Sequence, residues 1–165
     1  MERIIGTTKM LAAIAAIGLL GNVAHAQPCV KVKGYVNAPE EIDEPVKISV
    51  LDPQGQLVWQ KVKHHPGMKF KLPAGSVYAV TFEQAGSLTK TVQIDTRNAV
   101  RPYTKKQTRP VNFEVIMEPI DEQEVRYAGP VGRIGFSERT GRMGVDYDYS
   151  MERVAEARST QAKTF

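Results

Sequence analysis

Apolar and polar residues alternate along seven short segments of the chain. In one of them Met68, Phe70 and Leu72 alternate with Lys69 and Lys71. A period of two puts every second side chain on one face of a β-strand, which buries that face. The pattern predicts seven strands, at 30–36, 46–50, 57–62, 68–72, 77–82, 88–94 and 111–117.

Turn residues separate these segments. In Asp52–Gly55, Pro53 fixes its own φ and Gly55 is free to adopt a positive φ, as tight turns require. Such turns recur at a spacing of roughly 8–12 residues, and no helical period lies between them. The spacing predicts an all-β fold, a seven-stranded antiparallel β-sandwich, rather than a parallel α/β sheet.

The N-terminus has a different pattern. Arg3 and Lys9 precede a mostly apolar, uncharged stretch at 10–23, and Ala24-His25-Ala26 follows it. That order is typical of a secretory signal, and the apolar run is shorter than the roughly 20 residues of a spanning helix. We expect a cleavable signal at 1–26 and an exported protein, periplasmic or envelope-associated, with no transmembrane segment after cleavage.

The remainder divides into a predicted sandwich domain at 27–119 and a C-terminal extension at 120–165. Within the extension, two extended pieces flank 138–141, which predicts a hairpin with a glycine-containing loop. Ser150 is a helix-capping residue, so the sequence predicts a short helix over 151–157. The final residues, 158–165, are predicted to be frayed.

Part of the sandwich segment resembles a known family. The series Phe70-Lys71-Leu72, Gly75, Tyr78–Phe82 and Gly86 is similar to that of the carboxypeptidase regulatory-like domain, which is transthyretin-like. Two features depart from the family pattern: His64–Gly67 replaces its usual turn, and Glu44-Pro45 replaces a small residue. The resemblance implies a β-sandwich with an accessory, non-catalytic role in exported envelope proteins.

Charge and cysteine content narrow the class of function. The formal charge is +4, and it becomes +3 once Glu2, Arg3 and Lys9 are removed with the signal. This small excess in an exported protein does not favour nucleic acid as a partner. Cys29 has no second cysteine in the chain. It is therefore either a half-buried thiol at the first strand or a reactive or intermolecularly bonded one.

The segment 97–109 is the most basic part of the chain and contains no acidic residue. Arginine and lysine bind carboxylates and phosphates through charge-assisted hydrogen bonds, so acidic glycans, lipid headgroups or an acidic protein surface are candidate ligands. The alternative is a solvated linker between the sixth and seventh strands. The candidate partner-binding residues are Arg97, Arg101, Tyr103, Lys105, Lys106 and Arg109.

No pattern predicts catalysis, a metal or a cofactor. His64 and His65 are adjacent, so on an extended chain they point to opposite faces and do not share a metal. The acidic residues at 40–44, Asp146 and Asp148 lack the spacing of a calcium loop. The glycines at 132–144 do not form a phosphate-binding loop.

Two functions fit these observations. The first is a non-catalytic interaction domain of the cell envelope that binds or scaffolds a protein partner. The alternative is a carbohydrate- or polyanion-binding module in which Trp59 and Tyr103 stack on sugars. The burial of Trp59 discriminates between them, since a core tryptophan cannot form an open sugar platform.

Overall fold

Strands are the regular secondary structure of the described part of the chain. The computed structural model describes residues 28–64, 67–100, 110–120 and 125–153, and it contains no helix in those ranges. The all-β class predicted from the alternating pattern is therefore confirmed. The strands are β1 (Cys29–Asn37), β2 (Val46–Leu51), β3 (Leu57–Lys63), β4 (Gly67–Pro73), β5 (Val77–Glu83), β6 (Lys90–Asp95), β7 (Val111–Ile116), β8 (Val125–Tyr127), β9 (Gly132–Phe136), β10 (Met143–Tyr147) and β11 (Met151–Arg153).

The strands form one large sheet and two smaller ones. The six-stranded sheet, termed the larger sheet, has the order β10-β9-β6-β5-β2-β3. The three-stranded sheet, termed the smaller sheet, has the order β4-β1-β7. The third sheet is the pair β11-β8. Two neighbouring pairs are parallel, β1 with β7 and β6 with β9, so the prediction of a fully antiparallel fold is wrong there. Parallel neighbours need a long crossover, and the chain supplies it by passing from β6 into the smaller sheet before it returns to β9.

The described residues contain eleven strands, where seven strands and a C-terminal hairpin were predicted. β1–β7 occupy the seven segments with the alternating pattern, and β8–β11 come after them. β9 and β10 form the predicted hairpin, with Gly141 at a φ of 64°, and β9 extends the larger sheet beside β6. The C-terminal segment therefore contributes Ile134 and Phe136 to the same core as β1–β7.

The helix predicted after Ser150 is wrong for its first residues. Met151–Arg153 is the strand β11, and it pairs antiparallel with β8. A cross-strand ion pair of 2.8 Å joins Arg126 to Glu152 and stabilises this pairing. The rest of the predicted helix, and the predicted frayed tail, lie outside the described residues.

The larger, six-stranded sheet and the smaller, three-stranded sheet share one hydrophobic core. Alternate residues of most of their strands are buried, as in Val30 and Val32 of β1 and Phe82 of β5. Aromatic rings make direct contacts between the sheets: Phe82 meets Phe113 edge-to-face at 6.3 Å between ring centroids. Because burial of one large apolar side chain contributes about 1.5–3 kcal/mol, these faces hold the sheets together.

Gly34 is required by the close approach of two strands. It lies on the buried face of β1, directly opposite Met68 of β4 and Phe113 of β7. A Cβ atom at this position would collide with the Met68 side chain and lie 3.0 Å from the carbonyl oxygen of Phe113. Glycine lets the Met68 side chain fill this space in the centre of the smaller sheet.

Candidate functional site

The inner face of β10 is exposed to solvent. Met143 and Val145 pair with Phe136 and Ile134 of β9, which are buried, so their side chains lie on the core-facing side of the sheet. Even so, Met143, Val145 and Tyr147 are 44%, 42% and 65% exposed. The reason is that the larger sheet has six strands and the smaller one facing it has three. The larger sheet therefore projects beyond β7 with apolar side chains facing solvent.

A cleft separates β7 from this projecting part of the larger sheet. Phe113 and Ile116 line it on the β7 side, and Val145 and Tyr147 line it on the β10 side. Its volume is about 200 Å³. Small-molecule sites occupy roughly 300–1,000 Å³, so a cleft of this size holds one or two side chains rather than a whole ligand.

The free edge of β7 borders the cleft. On one side β7 pairs with β1, and in the described ranges no strand pairs with it on the other side. An unpaired strand edge offers a row of backbone N–H and C=O groups that an extended chain can bind. The cleft thus combines a strand edge with an apolar face.

A buried lysine lies at the inner end of the cleft. Lys90 is 3% exposed, and its ammonium group contacts a carboxylate oxygen of Glu118 at 2.7 Å. The same ammonium lies 5.2 Å from the ring centroid of Tyr127 and 5.8 Å from that of Tyr149. A buried charge is tolerated where a counter-charge and aromatic faces replace its water, and these contacts do so.

Hydrogen bonds tie Glu118 into the same cluster. The Tyr127 hydroxyl donates to the other carboxylate oxygen of Glu118 at 2.6 Å. The hydrogen bonds from Lys90 and then from Tyr127 lower the pKa of Glu118 below its ordinary value. Burial, followed by the bond to this carboxylate, raises the pKa of Tyr127. The carboxylate is therefore held ionised and the phenol neutral.

The buried cluster positions exposed aromatic rings at the mouth of the cleft. Tyr149 packs edge-on against Tyr127, at 6.4 Å between ring centroids. It also lies nearly parallel to Tyr147, at 6.2 Å and an interplanar angle of 6°. Tyrosine provides a large contact area and a polar tip, which suits a binding surface.

Sequence reasoning missed Lys90, although the sequence held a signal for it. Leu88, Val92 and Ile94 are the buried phase of the sixth predicted strand, and Lys90 falls in that same phase. A charged residue at an apolar position predicts either a break in the strand or a buried ion pair. The partner Glu118 is far away in sequence, so the pair itself could not be inferred.

Arg97 is the one residue of the predicted partner-binding set that falls within the described residues. Its guanidinium forms a bidentate contact with Asp95, with one oxygen at 2.5 Å from Nη2. The hydrogen bond from Arg97 lowers the pKa of the Asp95 carboxyl. This charge is therefore paired within the chain. The other five candidates lie outside the described residues: Arg101, Tyr103, Lys105, Lys106 and Arg109.

Arg97 borders a groove that the sequence did not predict. Arg133 and Arg142 line the same groove, which has a volume of about 700 Å³. These arginines are distant from Arg97 in sequence, and the pairing of β9 with β6 brings them together. Asp95 and Asp146 also line it, so its charge is mixed rather than purely basic.

Trp59 packs against the core, whereas Cys29 is exposed. The Trp59 ring is half-buried and stacks on Phe70 at 4.8 Å between centroids, so it packs against the core. Cys29 is exposed at the start of β1, because it lies on the outward-facing phase of that strand, so the expectation of a half-buried thiol is wrong.

Neither a metal-binding cluster nor a membrane-spanning helix occurs in the described part of the chain. Among the described residues, no group of three or more His, Cys, Asp or Glu side chains could hold a metal ion. In the same ranges no helix is long and apolar enough to cross a membrane. No family model matches the chain, and no curated protein matches it.

Proposed function

We propose that this chain is an exported, non-catalytic interaction domain of the cell envelope that binds a partner protein at the cleft between β7 and β10. The observation that carries the proposal is the uncovered inner face of β10 beside the free edge of β7. The bound element is an extended segment of the partner, which adds to the smaller sheet next to β7.

Strand addition explains both features of the cleft together. Backbone hydrogen bonds to β7 provide affinity, and alternate side chains of the added strand provide specificity. One face of that strand would cover Val145 and Tyr147, which requires apolar residues at every second position. Solvent-exposed apolar and aromatic residues that line one cleft are typical of protein-binding sites.

Charge specifies the outward face of the bound segment. Glu114 lies on the outer face of β7 and is exposed, where it accepts a hydrogen bond from Asn37. A basic residue of the partner, placed opposite Glu114 on the added strand, would pair with it. The partner segment therefore alternates apolar and polar residues, with at least one Lys or Arg on its polar face.

The family resemblance supports an accessory role. The resemblance lies in the series from Phe70 to Gly86, and its members Phe70, Leu72, Tyr78 and Phe82 are buried in the core. We propose on this basis that the chain is related to the carboxypeptidase regulatory-like domain. The predicted signal at 1–26 supports export to the periplasm or envelope.

Site-specific cross-linking tests partner binding. A photo-reactive residue at Val145 should cross-link, in the intact envelope, to one short segment of one protein, with the alternating composition described above. The same residue at Gln54, in an exposed turn between β2 and β3, is the matched control and should not give that product. Equal cross-linking from both positions, or a product with residues 154–165 of the same chain, would overturn the proposal.

A further inference from the structure

Four lysines face one another on the outer face of the smaller sheet. Lys31 of β1 pairs with Lys71 of β4, and Lys33 of β1 pairs with Lys69 of β4. All four are exposed, because they occupy the phase of β1 and β4 that points away from the core. This set, Lys31, Lys33, Lys69 and Lys71, is termed the lysine face.

The opposed lysines destabilise the folded sheet. Side chains directly opposite on antiparallel strands have Cβ atoms about 4.5–5.5 Å apart, and like charges at that distance destabilise the pair. None of the four lysines forms an ion pair with another described residue. The one carboxylate on this face, within the described strands, is Glu114, which is hydrogen-bonded to Asn37. The chain thus keeps a concentrated positive charge that its own side chains do not neutralise.

A groove continues from the lysine face towards β3. Its volume is about 680 Å³. Tyr35, two residues from Lys33 on the same face of β1, is 62% exposed and lies in the groove wall. Cationic and aromatic side chains from three strands line it together: Lys33, Tyr35, Trp59, Lys61, Lys63 and Lys69.

The structure points to an acidic polysaccharide as the ligand of the lysine face and its groove, a site separate from the protein-binding cleft. The ammonium groups bind carboxylate or sulfate groups of the ligand through charge-assisted hydrogen bonds. The exposed ring of Tyr35 provides an apolar surface for a sugar ring next to those charges. A flat lipid bilayer could contact the exposed lysines but would not enter the groove that Lys33 and Lys69 also line, whereas a single polysaccharide chain can contact both.

Titration with polygalacturonate, a carboxylated polysaccharide, tests the inference. Binding to the purified full chain should weaken by about tenfold or more when Lys31, Lys33, Lys69 and Lys71 are all replaced by Gln. The matched control replaces Arg133, Arg139, Arg142 and Arg153 by Gln, which removes the same charge elsewhere, and should change the affinity by less than about twofold. An equal loss in both variants would show attraction to overall charge and overturn the proposal.

Two further measurements identify the ligand class. Neutral dextran should not bind, and vesicles of phosphatidylglycerol should bind more weakly than polygalacturonate. Vesicle binding without polysaccharide binding would overturn the proposal in favour of a membrane surface. The four-lysine variant should remain folded, because removal of the opposed lysines relieves their repulsion. Its melting temperature should therefore be the same as that of the original chain or higher.

Tyr35→Ala provides a second variant. It should weaken polygalacturonate binding by a few fold and leave the dependence of affinity on salt concentration unchanged, because the lysines remain. The four-lysine variant should reduce that salt dependence. None of these outcomes depends on the cleft between β7 and β10, so the two proposals fail independently.

Discussion

The ammonium group of Lys90 lies 2.7 Å from a carboxylate oxygen of Glu118, and this contact joins the two larger sheets. Lys90 begins β6 of the larger sheet, and Glu118 lies two residues after β7 of the smaller one. The lysine is buried, whereas 43% of the glutamate side chain remains exposed. Removal of Glu118 therefore leaves a buried ammonium group without a counter-charge, whereas removal of Lys90 leaves a carboxylate that is partly in water.

Removal of the carboxylate should cost more stability than removal of the ammonium. Glu118→Gln leaves a charged lysine in the core without its counter-charge, and we expect a loss of about 2 kcal/mol in the free energy of unfolding, discounted for the exposure of Glu118. Lys90→Met leaves an exposed carboxylate that water can solvate, so its loss should be smaller. Urea unfolding of both variants measures the difference.

Glu114→Gln is the matched control for that experiment. Glu114 lies on β7, four residues before Glu118, but it is exposed and bonded to Asn37 rather than to a buried charge. We expect its change in the free energy of unfolding to be within about 0.5 kcal/mol. A loss from Lys90→Met as large as that from Glu118→Gln would contradict the burial argument.

Tyr127 should make the protein less stable at alkaline pH. Burial raises the pKa of Tyr127 above its ordinary value of 10.0, so the folded state binds this proton more tightly than the unfolded state. The resulting stabilisation is fully present below pH 10 and is lost as the pH rises further. Tyr127→Phe lacks the titrating group, so its melting temperature should fall less steeply between about pH 10 and 11.5 than that of the original chain.

The comparison between those two chains isolates Tyr127. Burial also raises the pKa of Tyr78, but that residue is present in both chains and its contribution cancels. At neutral pH, Tyr127→Phe should be less stable by about 1 kcal/mol, because the hydrogen bond to Glu118 is lost. Parallel melting curves over the whole alkaline range would show that Tyr127 does not titrate differently in the two states.

Gly34→Ala tests the close packing at the centre of the smaller sheet. The added methyl group meets the Met68 side chain and the Phe113 carbonyl, so we expect a loss of about 1–3 kcal/mol in the free energy of unfolding. Gly144→Ala is the control, because a Cβ atom on this β10 glycine has no neighbour within 4 Å. Gly144→Ala should raise the free energy of unfolding by at most about 1 kcal/mol. Equal losses at both positions would attribute the effect to the backbone rather than to Met68.

The sequence located strands well because each buried face repeats every second residue. Val30 and Val32, for example, are fully buried where the alternation predicted an apolar face. Strand pairing and direction were less predictable, since the same alternation occurs in parallel and antiparallel strands. Met151–Arg153 shows the further limit of local signals: Ser150 favours a helix, and pairing with β8 overrides that preference.

The candidate sites depend on contacts that local sequence does not encode. Lys31, Lys33, Lys69 and Lys71 are visible as alternating lysines, but the register of β1 with β4 is what places them opposite one another. The uncovered face of β10 depends on the number of strands in each sheet. Pairing register and the number of strands in each sheet are set by packing across the whole chain, so the sequence shows these residues but not their arrangement.

A charge reversal on the lysine face should stabilise the fold. Lys71→Glu places a carboxylate directly opposite Lys31 and turns a repulsive cross-strand pair into an attractive one, which should raise the free energy of unfolding by a few tenths to about 1 kcal/mol. The contrasting variant is Lys47→Glu, which destroys the cross-strand ion pair between Lys47 and Glu83, at 2.8 Å, and should lower it by a similar amount. Both changes in the free energy of unfolding should be smaller at 1 M salt, where the Debye length is about 3 Å. Urea unfolding at low and high salt measures this, and a Lys71→Glu variant that is destabilised at low salt would show that the opposed lysines do not repel in the folded sheet.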